Sequence, residues 1–480
     1  MRLHYAGHGR IEMSCILDDE RCIPELLTQL RSLSLDFLSG AHTGAAVDTR
    51  SDVLTQQAEM PEEGLGCLDA LRTYWQRYAD GHSRSTGPRY YGFVTGGVTP
   101  AALAGDWLVS VLDQNVATER HSIAAFIEAQ VLTFISNLLK LPAGLFQGVL
   151  TTGATAANLV GLSSAREWCG EQAGVSIAHE GIAAAPPIAV FGASAHSSII
   201  KSLGVLGIGR KNIVSIRSLP DREAMDIQHL EEALKSSVST SRIVVASAGT
   251  VNSGDFDDLN GIADLCMRYN AWLHVDAAFG AFARCSPRYE HLIEGLERAD
   301  SITADAHKWL NVPYDCGIAL TRHTAFHERS FSADAPYVPM GGELPAFMNR
   351  GVEQSRRYRA LPLWMTLMAY GKSGYRELVE RNCDVVRQIA SWIDGCEYYD
   401  VLCPVYLNIV MFRCRRVGGR DHDAHSVAVL ERINATGALF LTPSTYNGEK
   451  VFRLAVCNWM TTRSDVAIVI NALHHAVAGY

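Results

Sequence analysis

The sequence predicts an α/β fold, a mainly parallel sheet covered by helices, and three observations carry that expectation. From about residue 142 to about residue 325, short β-rich runs at 188–191, 213–216, 243–247, 272–275, 301–303 and 317–320 alternate with stretches of helical periodicity. Such alternation builds crossover units, with ligands at the carboxyl ends of the strands. The apolar run at Gly148-Val-Leu passes directly into Thr151-Thr-Gly-Ala-Thr155 and a helix-like stretch, a strand-to-helix turn that presents free N–H groups to an anion. Finally, 480 residues with 48% hydrophobic content can bury a large core and suggest more than one domain.

Taken in order, residues 20 to about 85 read as helices, because Leu26, Leu30 and Leu33, then Leu68, Leu71 and Trp75, recur at helical spacing. Tyr90-Tyr-Gly-Phe-Val-Thr-Gly-Gly97 is too rich in glycine for a regular element. Beyond Pro100 a long helical pattern runs to Leu141-Pro142, where the alternating region begins. Residues 326 to 350, rich in Ser, Ala, Asp, Pro and Gly, predict a long loop with a functional role. Helices follow over 353–395, and the remainder, with apolar runs at 406–412 and 451–456, reads as a small α+β unit. The division is an N-terminal helical segment at 1–95, a large domain at 96–350 and a small domain at 351–480.

Composition excludes several functions. A net charge of −9 without a basic patch argues against nucleic acid as a partner. No apolar stretch has the length of a membrane span, and the first ten residues lack the apolar core of a signal peptide, so a cytoplasmic protein without a membrane partner is expected. The 12 cysteines include no Cys-x-x-Cys pair and read as reduced thiols. The 17 histidines include no His-Glu-x-x-His, and no metal is expected.

The chemistry-bearing residues sit at strand ends. Lys308 closes the run Ser301-Ile-Thr-Ala-Asp-Ala-His-Lys308, an amine among polar partners after an apolar strand. A lysine attacks a carbonyl only when neutral, which desolvation or a neighbouring charge can arrange. Asp276 ends the preceding apolar run, Ala271-Trp-Leu-His-Val-Asp276. A lysine and an aspartate at the ends of neighbouring strands, with a phosphate cradle upstream, suggest bound pyridoxal phosphate.

These motifs occur in order with Ala195-His-Ser-Ser198, Gly249-Thr-Val-Asn-Ser-Gly-Asp-Phe-Asp-Asp258 and Phe452-Arg-Leu-Ala-Val-Cys-Asn458. From about Leu65 onward the sequence resembles the group II pyridoxal-phosphate-dependent amino-acid decarboxylases, which include the aromatic-L-amino-acid, tyrosine and glutamate decarboxylases. The resemblance implies the fold type I architecture, with a mainly parallel seven-stranded sheet and a homodimer. It implies that Lys308 holds the cofactor as an imine, that Asp276 keeps the ring nitrogen protonated, and that His196 stacks on the ring. Thr250 and Ala278 would pack around the ring, and Ala154 and Thr155 would line the phosphate loop. Asp305 and His307 would contact the phosphate and shield the imine. Phe93 and Thr95 would touch substrate, their loop reaching the neighbouring subunit's site, and Tyr337 would donate a proton to Cα.

Two departures stand out. Asp305-Ala replaces the Asn-Pro that usually precedes His-Lys in the aromatic enzymes, and Ala156 replaces an acid after the phosphate-loop hydroxyl. An aspartate beside a phosphate needs a proton or a nearby donor to compensate it. The implied reaction is decarboxylation of an L-amino acid, an aromatic one by preference, to its amine. Oxygen-dependent decarboxylation–deamination to an aldehyde, transamination, and noncatalytic cofactor binding are the alternatives.

Overall fold

The computed structural model describes residues 15–47, 60, 62, 64–332, 343–416 and 421–477. At the N-terminus lie α1 (Cys15–Asp18), α2 (Ile23–Ser39) and α3 (Cys67–Tyr78). The long helical pattern expected beyond Pro100 is two helices, α4 (Pro100–Leu112) and α5 (Ala124–Leu138). Thr99 caps α4 by accepting from Ala102 N at 3.3 Å, and Asp113 ends it in the left-handed region at φ 45°, which apolar periodicity alone does not reveal.

Seven strands form the large sheet: β1 (Gln147–Thr151), β2 (Ala189–Gly192), β3 (Ile213–Ser215), β4 (Arg242–Ser247), β5 (Trp272–Asp276), β6 (Ser301–Asp305) and β7 (Gly317–Thr321). Their order is β1-β7-β6-β5-β4-β2-β3. Strands β3, β2, β4, β5 and β6 pair parallel, while β7 is antiparallel to both of its neighbours. Residues 306–316 are too short a link for a parallel crossover, so β7 returns alongside β6 in the opposite direction. Interleaved with these strands are α6 (Ala154–Gln172), α7 (Ile177–Glu180), α8 (Ser197–Val205), α9 (Ile227–Ser236), α10 (Leu259–Tyr269) and α11 (Ala306–Trp309). Strands β5, β6 and β7 are buried along their whole length, as expected where helices cover both faces.

Residues 326–331, expected to open the long loop, instead belong to α12 (Thr324–Phe331). Residues 333–342, including Tyr337, lie outside the described residues. The long α13 (Ala360–Gly395) changes direction at Gly371. Its second half packs with α14 (His422–Ala435) and α15 (Arg463–Val477) on a second sheet, antiparallel throughout. That sheet comprises β8 (Tyr399–Val401), β9 (Ile409–Cys414), β10 (Thr442–Tyr446) and β11 (Glu449–Ala455), in the order β10-β11-β9-β8. Asn447 and Gly448, at φ 50° and 82°, make the tight β10–β11 turn. Val386, Ile389, Phe412, Val429, Phe452 and Leu473 fill the core between this sheet and its helices, separate from the core around the large sheet. Among the described residues, no helix is long and apolar enough to cross a membrane.

Candidate active site

A cavity of about 670 Å³ opens at the carboxyl ends of the central strands, where open α/β sheets bind ligands. Ten sequence-predicted residues line it: Phe93, Ala154, Thr155, His196, Thr250, Asp276, Ala278, Asp305, His307 and Lys308. Thr95 does not. It is buried behind the wall, where its hydroxyl meets the Tyr314 phenol at 3.3 Å.

The floor of the cavity is a polar network around Asp276 at the end of β5. One carboxylate oxygen accepts from Ala278 N at 3.2 Å and the other from Asn158 Nδ2 at 3.0 Å. Two donors on a carboxylate leave acceptor positions over. His196 precedes α8 and caps it, its Nδ1 accepting from Ser198 N at 3.2 Å. With Nδ1 an acceptor, the proton of the neutral ring is on Nε2. Burial lowers the pKa of His196, against the opposing pull of the Asp276 charge, and so favours that neutral form.

At the end of β6 the chain turns into α11, bringing Asp305, His307 and Lys308 together. Lys308 Nζ is 3.5 Å from Asp305 Oδ2, and His307 Nε2 is 3.2 Å from the same oxygen. Cys316 N donates to His307 Nδ1 at 3.3 Å, which leaves Nε2 as the donor to Asp305. Asp305 Oδ1 accepts from Ala154 N, the first residue of α6, at 3.1 Å. The acid that seemed awkward beside a phosphate is therefore compensated by an amine, an imidazole N–H and a helix N-terminus. Gly153, at φ 125°, precedes α6 in a conformation that an L side chain rarely adopts.

Several lining residues escaped the sequence reading. Arg453, on β11, is buried in the cavity wall, and its Nε has no hydrogen-bond partner among the described residues. Burial lowers its pKa to about 10, with only partial compensation from the Glu223 carboxylate. Glu223 in turn holds the Thr250 loop, accepting from Thr250 Oγ1 at 2.6 Å and from Ser253 N at 2.9 Å. The available signal for Arg453 was a single arginine within the apolar run 451–456; Asn158, which holds Asp276 from behind the lining, stood out only as a polar residue among the small and apolar ones that begin α6.

The outer wall is apolar. Phe93, Val94, Val251, Phe279, Tyr314 and Val352 face the cavity, and Phe93, Tyr314 and Val352 remain 61%, 62% and 60% exposed. The 93–95 loop, expected to reach a neighbouring subunit's site, presents Phe93 to the cavity of its own chain. The adjoining backbone is tied to the segments that carry the second sheet: Tyr91 N donates to Phe440 O and Ala455 N to Tyr91 O.

The model of the pyridoxal-dependent decarboxylase conserved domain matches residues 53–415. The chain is 30% identical over 444 residues to the L-2,4-diaminobutyrate decarboxylase of Rhizobium meliloti (strain 1021), covering 91% of this chain and 87% of that one. It is 28% identical over 395 residues to tryptophan decarboxylase 1 of Oryza sativa subsp. japonica, covering 77% and 76%. The structure of Oryza sativa TDC with PLP and tryptamine superposes with a TM-score of 0.88 at 25% identity, over 95% of this chain and 97% of that one. Since the family match spans well over half of the sequence, the chain belongs to the pyridoxal-dependent decarboxylase family and is a pyridoxal-phosphate-dependent carboxy-lyase.

Proposed function

We propose that the protein decarboxylates an aromatic L-amino acid to its amine and carbon dioxide, in the cytoplasm and as a homodimer. The observation that carries this reading is the pairing, in one cavity, of the Lys308–Asp276–His196 floor with an apolar wall containing Phe93, Phe279 and Tyr314. The donor set suits pyridoxal phosphate: an amine for its carbonyl, a carboxylate with spare acceptor capacity for its ring nitrogen, and the N-terminus of α6 for its phosphate. When bound, the cofactor supplies an electron-poor ring that takes up the electron pair left as carbon dioxide departs.

The chain's own residues do the rest. Lys308 would hold the cofactor through its amine, the group that suits the cofactor's carbonyl. Asp276 would keep a proton on the ring nitrogen, and His196, neutral with its proton on Nε2, would stack on the ring. Arg453 attracts the substrate carboxylate, whose charge vanishes as carbon dioxide forms, so this cation aids binding more than bond cleavage. The apolar wall excludes water from the carboxylate. By resemblance, Tyr337 returns a proton to Cα; Tyr337→Phe should then lower amine yield while carbon dioxide release partly survives, and unchanged amine yield would remove it from this role.

Dimerisation is supported by the apolar faces that the single chain leaves open, among them Trp107, Leu108 and Val111 on α4 and Ile123 and Phe126 at α5. Sedimentation should give a dimer, and a fully active monomer would contradict it.

The deciding experiment incubates holoenzyme with L-tryptophan, L-tyrosine, L-phenylalanine, L-glutamate and L-2,4-diaminobutyrate, following carbon dioxide, amine, aldehyde and oxygen. Aromatic amine without oxygen uptake supports the proposal, and aldehyde with oxygen uptake replaces it by the oxidative reaction. The diamino acid belongs in the panel because Glu353 also lines the cavity and its carboxylate can pair with a side-chain amine. Preference for that substrate would overturn the aromatic assignment.

A further inference from the structure

Behind Asp276 runs a line of side chains of which four, Trp272, Ser301, His274 and Asn158, lie outside the cavity lining. Trp272 Nε1 donates to Ser301 Oγ at 2.9 Å, and Ser301 Oγ lies 2.8 Å from His274 Nδ1. His274 Nε2 is 2.9 Å from Asn158 Oδ1. Asn158 Nδ2 donates to Asp276 Oδ2 and to Ser198 Oγ, each at 3.0 Å. Ser198 Oγ is 2.8 Å from His196 Nδ1. Trp272, Ser301, His274 and Asn158 are all buried.

Only one direction satisfies every member. An indole N–H can only donate, so Ser301 accepts from Trp272 and has its own proton free for His274 Nδ1. Burial lowers the His274 pKa to about 4, which leaves the ring neutral with its single proton on Nε2. That proton goes to Asn158 Oδ1, which turns the amide nitrogen toward Asp276 and Ser198. A flipped amide would set its oxygen against the Asp276 carboxylate and its N–H₂ against the His274 N–H. The sheet supports this geometry. His274 and Asp276 share a face of β5 by the two-residue period, and Ser301 is the β6 partner of His274. Gly161 on α6 makes room for the ring, since a Cβ there would come within 2.7 Å of His274 Cε1.

We infer that Trp272, Ser301, His274 and Asn158 form a one-way hydrogen-bond relay that orients the Asp276 carboxylate, and through Ser198 the His196 ring, making His274 and Ser301 positioning residues for the cofactor. A carboxylate held by fixed donors would need no reorganisation as the charge of the bound cofactor's ring changes. The inference rests on reading Asp276 as the partner of the ring nitrogen.

The test compares Ser301→Ala, Trp272→Phe, Thr303→Val and Asp276→Asn as pyridoxal-phosphate-loaded enzymes. Each is measured for cofactor dissociation constant, the pH profile of cofactor absorbance, and kcat against KM. Thr303 is the control, because its hydroxyl is equally buried on the same strand and has no hydrogen-bond partner among the described residues. Ser301→Ala should weaken cofactor binding about tenfold, shift the absorbance profile in the direction that Asp276→Asn shifts it, and lower kcat with KM little changed. Trp272→Phe should do the same more weakly, and serves in place of Ser301→Ala should that variant not fold. Thr303→Val should match the parent. The relay is overturned if Ser301→Ala and Trp272→Phe match the parent while Asp276→Asn does not, or if Thr303→Val matches Ser301→Ala. A parental profile and affinity for Asp276→Asn would instead sink the reading of Asp276 itself.

Discussion

At the floor of the cavity and directly beneath it, Asp276, Ser198, Asn158 and His274 are all hydrogen-bonded, whereas at the wall Arg453 Nε has no partner among the described residues and Phe93, Tyr314 and Val352 stand more than half exposed. The floor is organised by folding alone, since a buried polar group without partners would cost too much. The wall leaves a cation unsatisfied and apolar surface open, and both need a ligand or a second chain. Substitutions at the floor should therefore damage chemistry, and those at the wall should damage binding and substrate choice.

The largest expected effect tests the floor. Lys308→Ala should lower kcat by on the order of 10³-fold or more, and borohydride treatment of the parent followed by peptide mapping should place the reduced cofactor on Lys308. An adduct on another lysine would move the site.

Arg453→Gln sharpens the contrast at the wall. Losing a hydrogen bond to a charged group costs about 1.5 kcal/mol, so KM should rise about tenfold with kcat nearly unchanged. The same substitution should raise the melting temperature of the ligand-free protein. Arg453 titrates near 10 in the fold, below the ordinary 12.5, so its charge opposes folding at every pH below about 10, and that cost fades as the pH rises from there towards 12.5. A fall in kcat as deep as that of Lys308→Ala would erase the distinction between floor and wall.

A smaller effect concerns histidines outside the ligand space. Burial lowers His327, which meets Arg350 O at 2.5 Å, to about 4 from the ordinary 6.5. The unfolded chain therefore binds the extra proton first. Stability is full above about pH 6.5 and falls as the pH drops towards 4. His274 adds a second contribution of the same sign. His327→Gln should flatten this acid limb by about 1 kcal/mol or more in denaturation at stepped pH, without changing the KM of holoenzyme at neutral pH. An unchanged slope would show that His327 does not titrate between the two states.

The smallest effect is at the rim. Tyr314→Phe removes the contact to Thr95 but keeps the ring, so kcat/KM should change by less than about fivefold, the equivalent of a net hydrogen bond of at most about 1 kcal/mol. A larger loss in kcat alone would make Tyr314 part of the chemistry.

The sequence by itself determined the strand set of the large sheet to within two residues, and with it a lysine, an aspartate and a glycine-bearing turn at strand ends; the place of His196 came only from the family resemblance. These follow from local patterns: short continuous apolar runs rich in β-branched residues, glycine where backbone must turn, and short motifs whose members are neighbours in the chain. Even the shared face of His274 and Asp276 is implicit in their spacing. Tertiary structure decided what joins distant segments. Asn158 reaches His274 across 116 residues, Arg453 arrives at the cavity from the small sheet, and Phe93 turns to its own chain because its loop is tied to Phe440. Asp305, ambiguous as a letter beside a phosphate loop, is balanced by Lys308, His307 and the first N–H of α6. Local periodicity records which way a side chain faces along its own element. Which partner it meets there depends on how sheets and loops pack, and for a buried charge or a neutral histidine that partner decides its protonation and its role.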